Sequence, residues 1–146
     1  MASQIFNEFK EELMKGNVDL DGGTFKADLL MTNTTIDTEN DAIVTNSNFT
    51  TPDVCDGANY VTKTLSTLAV TKVDASDKAT WGADNLTWTA LGASTRAIQG
   101  VLIYKYDTSF NASMPIAFIQ FSSNKTADGS DFTVSWDSTN KILYLT

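Results

Sequence analysis

Ala97-Ile-Gln-Gly-Val-Leu-Ile-Tyr-Lys-Tyr106 is the stretch that decides the fold. In an extended chain Val101 and Ile103 point to one side and Leu102 and Tyr104 to the other, so apolar groups fall on both faces. Such a segment reads as a central strand covered on both sides. Three more strand segments follow, at Ile116 to Phe121, Asp131 to Trp136 and Lys141 to Leu145, and the four together read as a meander. In the third, Phe132, Val134 and Trp136 alternate with Asp131, Thr133 and Ser135, the period of two that leaves one face in water.

Working back toward the amino terminus, Thr24 to Met31 alternates in the same way, with Phe25, Ala27, Leu29 and Met31 on one face, and predicts the first strand. Tyr60 to Leu65 and Leu68 to Val73 predict a strand pair. An Ala75-Ser76-Asp77 turn follows, then the paired segments Ala79 to Trp81 and Leu86 to Trp88. Tyr60, Trp81 and Trp88 are large enough to anchor a core or an interface. Between Thr32 and Ala58 the chain is mostly Thr, Asn, Asp and Ser, with Ile43, Val44 and Phe49 as apolar islands, the composition of a long surface excursion.

The one helical pattern runs from Ser3 to Lys15. Ile5, Phe9 and Leu13 recur every four residues with Phe6 beside them, and Glu8, Glu11 and Glu12 take the other side. Ser3 suits the amino-terminal cap and Gly16 the left-handed stop. The expected fold is therefore all-β, an antiparallel β-sandwich of jelly-roll or Ig-like type with a short amino-terminal α-helix. It forms a single domain, with the helix in residues 1–16 and the sandwich in residues 17–146.

Composition narrows the chemistry. Ten basic against 18 acidic side chains give a net charge of −8, which repels phosphate backbones and anionic bilayers, so neither nucleic acid nor membrane is an expected partner. The sequence contains no histidine, which removes Ser-His-Asp and Cys-His catalysis and most transition-metal sites. Its single cysteine, Cys55, cannot form an intrachain disulfide and reads as a small apolar filler. Asp19-Leu-Asp21 opens like a calcium loop, but Gly22 comes too early and Leu30 stands where a bidentate glutamate belongs. No catalytic residue, metal or cofactor is expected. No apolar run reaches the roughly 18 residues of a membrane helix, and the first residues lack the pattern of a secretion signal, so synthesis in the cytoplasm is expected.

Phe9-Lys10-Glu-Glu-Leu-Met-Lys-Gly16-Asn-Val-Asp-Leu20 and Thr24-Phe25-Lys26-Ala-Asp-Leu-Leu30 resemble the opening of a family of small tailed-bacteriophage virion structural proteins. The resemblance continues through Gly57-Ala-Asn-Tyr60, Ala83-Asp84-Asn85-Leu-Thr-Trp88, Thr95 to Lys105, Pro115 to Phe121, Gly129 to Trp136 and Lys141 to Leu145. It departs most over Thr32 to Ala58, and Asp137-Ser-Thr-Asn140 stands where family members often carry a glycine turn. What it implies is a component of the virion, either a head decoration or cement protein or a tail-associated one. The acidic composition favours the outer head surface over a place against packaged DNA.

On that reading the partners are the phage major capsid protein and other copies of the chain, as a homotrimer, and the protein is made in the host bacterial cytoplasm. The candidate interface residues are Ile5, Phe6 and Phe9 of the helix and Ile43, Val44 and Phe49 of the polar excursion. The alternative for these side chains is that they complete the protein's own core. The alternative function is a tail or fibre component with a receptor- or glycan-binding role.

Overall fold

The computed structural model describes residues 3–34, 53–109 and 112–146. Its largest sheet is built around the strand read above. β1 (Gln4–Ile5), β2 (Phe25–Met31), β3 (Lys63–Thr64), β7 (Ile98–Lys105) and β8 (Met114–Lys125) form a five-stranded antiparallel sheet in the order β1-β8-β7-β2-β3. β7 is thus flanked on both edges and buried on both faces, as its two-sided apolar pattern demands. A three-stranded antiparallel sheet joins β10 (Leu143–Leu145), β5 (Lys78–Gly82) and β4 (Ala69–Val73), and β6 (Leu86–Trp88) pairs with β9 (Phe132–Val134). The chain is an all-β antiparallel sandwich with one short helix, α1 (Asn7–Met14).

The main core lies between one face of the large sheet and the two smaller sheets. Phe25, Ala27 and Leu29 of β2 and Val101 and Ile103 of β7 meet Trp81, Leu86, Trp88 and Val134 there, and Phe9 of α1 joins them. Phe25 and Trp81 pack edge to face, with ring centroids 5.1 Å apart. The opposite face of the same sheet carries a second buried cluster of Phe6, Leu30, Leu102, Tyr104 and Phe118. Gly100 lets that cluster close, because a Cβ there would stand 2.6 Å from the Phe118 ring and 2.5 Å from the Ile119 carbonyl oxygen.

Several expected pairings differ in the structure. The last four strands are no meander: β7 and β8 pair with each other, but β9 crosses to β6 and β10 to β5. Segments 60–65 and 68–73 do not pair together either. β3 adds to β2, while β4 adds to β5, and β5 has no pairing with β6. Turn residues locate where a strand ends, but which strand it returns to depends on the core it must share. The polar excursion also stops earlier than expected, since Met31 N donates to the Asp53 carbonyl and Cys55 N to that of Leu29, both at 2.8 Å, tying this segment to the edge of β2.

The helix is shorter than its periodicity predicts. Gln4 and Ile5 pair with Phe118 and Ala117 as the edge strand β1, and Phe6 N donates to the Ile116 carbonyl at 3.0 Å. Sheet pairing outweighs helix propensity there. Ser3 consequently caps nothing, and its Oγ accepts from Gln120 N at 2.9 Å instead. The carboxyl end is as expected. Gly16 has φ +76°, Gly16 N donates to the Leu13 carbonyl and Asn17 N to that of Glu12, which is a Schellman stop.

Candidate functional site

Two places in the described residues gather unusual side chains. The first is buried. Asp28, 2% exposed, accepts hydrogen bonds from three hydroxyls: Tyr60 at 2.6 Å and Thr62 at 2.6 Å on Oδ1, and Tyr104 at 2.8 Å on Oδ2. Tyr60 Oη also accepts from Leu29 N at 3.0 Å, so it stands in for a strand partner just beyond the end of β3. Burial pushes the hydroxyls of both Tyr60 and Tyr104 far above the usual tyrosine range, and the neighbouring Asp28 adds to the effect. A carboxylate holding three neutral donors in this way is a clasp joining residues 60–62 to β2 and β7. It keeps no free face for a substrate. The sequence reading missed it because period-two alternation put Asp28 on a face taken to be wet, whereas the large sheet is covered on both sides.

The second place is an exposed groove of about 610 Å³ between α1 and the three-stranded sheet. Strand register explains its floor. Val70 and Leu143 both stand opposite Trp81, and Lys72 and Leu145 both stand opposite Ala79, so these side chains form two adjacent rows on one face. Trp81 is sealed at the inner end, where its Nε1 donates to the Leu20 carbonyl at 2.8 Å. The rows become progressively uncovered away from it. Met14 (83% exposed), Leu145 (64%), Val70 (50%) and Tyr144 (49%) all line this groove, and they are four of the five large hydrophobic side chains exposed among the described residues.

Such a concentration is not the scatter of single apolar residues found on ordinary surfaces. Lys10 is the only charged side chain in the lining. Its Nζ donates to Asn7 Oδ1 at 3.0 Å, and it makes no ion pair among the described residues. Leu20 is flanked by Asp19 and Asp21, whose carboxyls share a hydrogen bond that holds Asp19 below the usual range and pushes Asp21 above it. The groove offers an apolar surface and one cation. It has no nucleophile paired with a base.

The structure separates the helix residues expected to act together. Ile5 is half-buried and lines the groove, and Phe9 is buried with one edge in the groove floor. Phe6 faces the other way, into the second cluster, so it completes the protein's own core. Ile43, Val44 and Phe49 lie outside the described residues. Strand β10, expected only as the last segment of the meander, contributes Leu143, Tyr144 and Leu145 to the groove. The sequence signal for these was present as an uncharged apolar run. Its exposure depends on β10 lying at the edge of a small sheet, which no local pattern reveals.

Three further acidic side chains, Asp53, Asp56 and Asp74, are engaged by protein partners. Asp53 pairs with Arg96 at 2.9 Å, Asp56 accepts from Thr95 N and Oγ1 at 2.8 and 2.7 Å, and Asp74 pairs with Lys72 at 3.1 Å. Cys55 is buried, and that burial pushes its thiol up from the usual range. No family model, curated protein or solved structure matches the chain.

Proposed function

We propose that the chain is a structural component of a tailed-bacteriophage particle, a decoration or cement protein that binds the outer surface of the assembled head and bridges neighbouring capsid subunits. The observation that carries this reading is the open apolar groove between α1 and the β10-β5-β4 sheet. A monomer without a partner has no use for four large hydrophobic side chains held in water around one depression. The family resemblance supplies the particle, and the charge of −8 favours its outer face.

The work is mechanical. A protein that binds only the closed shell stabilises it by mass action, and repetition over a lattice makes many contacts break together before the shell opens. The Asp28 clasp ties residues 60–62 to β2 and β7 of the large sheet, against which Trp81 of the groove floor packs through Phe25.

Cryo-electron microscopy of purified particles tests this. The expected result is the sandwich in many copies over the head, with the groove turned toward a capsid subunit. Density confined to a few copies at the tail or a fibre would replace this reading with the receptor- or glycan-binding one. Sedimentation of the purified chain tests the associated trimer separately, a monomer at micromolar concentration counting against it.

A further inference from the structure

We propose that the groove takes an apolar segment of an unlike protein that places a carboxylate on Lys10. This rests on reading the groove as a docking surface, and not on which particle the partner belongs to. Charge complementarity selects the partner: in a lining that is otherwise apolar or uncharged, the one charge is a cation that no carboxylate of the described structure neutralises. An incoming Asp or Glu side chain, aimed by the apolar contacts, meets it in a partly dehydrated setting where an ion pair is worth more than on open surface.

A second copy seated groove to groove is disfavoured as the occupant, since the same lining would face itself and it carries no carboxylate to meet Lys10. A fatty acid offers the same apolar-plus-carboxylate chemistry. It suits the geometry less well, because Met14, Tyr144 and Leu145 stay open to solvent along the rim. A peptide can bury its apolar side chains there and keep its own polar groups in water. A free acyl chain would be left half wet.

The test uses the purified full chain and fluorescein-labelled peptides of about 12 residues, blocked at both ends, with leucines along one face of a helix and one Glu among them. Two companion peptides replace that Glu with Gln or Lys. Anisotropy titrations are expected to rank Glu above Gln above Lys, with steps of roughly three- to tenfold in affinity. In Lys10→Glu the order is expected to invert. Leu145→Asp and Met14→Asp alter exposed positions, which keeps the fold intact, and each is expected to weaken the Glu peptide by at least about tenfold.

The proposal is overturned if Lys10→Glu leaves the ranking unchanged, or if the two aspartate variants bind as the parent does. It is equally overturned if no peptide binds while labelled dodecanoate does, which makes the groove a lipid site. Self-association in sedimentation that Leu145→Asp abolishes overturns it in favour of a second copy. Because no particle is used, an unchanged ranking in Lys10→Glu overturns the carboxylate partner and leaves the head-decoration reading standing, the lipid outcome removes the groove that carries both, and failure of the head-decoration reading alone leaves the peptide ranking standing.

Discussion

A single side chain shows how much this fold invests in positioning. Asp28 is buried with three hydroxyl donors around it, two from residues 60–62 and one from β7. Replacing it with Ala strands Tyr60, Thr62 and Tyr104 without their acceptor, and the expected cost is about 3 to 5 kcal/mol in urea unfolding. A loss below about 1 kcal/mol would mean that water or another acceptor takes its place. The same cluster sets an alkaline limit. Tyr60 and Tyr104 have hydroxyls raised far above their unfolded value, so the folded state keeps both protons where the unfolded chain loses them. Their contribution is complete below about pH 10 and declines above it, by about 1.4 kcal/mol per pH unit for each tyrosine. Denaturation midpoints measured from pH 8 to 12 are expected to fall steeply above pH 10, and to fall less steeply in Tyr104→Phe. None of this was legible in the sequence. Asp28 sits at an alternate position in Thr24 to Met31, and alternation alone cannot distinguish a wet face from one covered by a second layer.

At the scale of elements, local signals and long-range ones separate cleanly. The stop of α1 was legible because it is made by neighbours in sequence: Gly16 at φ +76° and the two hydrogen bonds back to Leu13 and Glu12. Nothing stands within 4 Å of a Cβ at Gly16, so Gly16→Ala tests backbone conformation alone. It is expected to lower stability by about 1 kcal/mol with no change in the slope against denaturant, and Gly16→Asn by less. An unchanged midpoint for Gly16→Ala would show that the turn relaxes freely. The start of the same helix was not legible. Gln4 and Ile5 carry helical spacing, yet they are taken by the edge of β8, where their partners Phe118 and Ala117 lie about thirty helical turns' worth of residues farther along the chain. Pairing partners follow the same division. The central position of β7 could be read from its two-sided apolar pattern, while the return of β9 to β6 and of β10 to β5 could not, because it reflects which layers share Trp81, Trp88 and Val134 in the core.

For the whole molecule, the question is why a sandwich stable enough to bury both faces of its large sheet leaves one depression apolar and open. The candidate site was half legible: Ile5, Phe9 and the anchor Trp81 were singled out, but Met14, Val70 and the β10 residues acquire their role only when α1 and the small sheet come together. A groove assembled from parts of the chain this far apart exists only in the folded state, so whatever occupies it is coupled to the fold and, under the proposed decoration role, to the closed shell. That coupling has a measurable consequence. At free concentrations about 100 times the dissociation constant, binding to closed shells alone adds about 2.7 kcal/mol per occupied site. Shells stripped of the protein and then refilled are expected to release their DNA at a higher temperature than stripped shells, followed by an intercalating dye during heating. The Leu145→Asp and Met14→Asp chains, added at the same concentration, are expected to leave the release temperature where stripping put it. If the parent chain saturates the shells and the release temperature stays fixed, it decorates without cementing, and the open groove serves attachment alone.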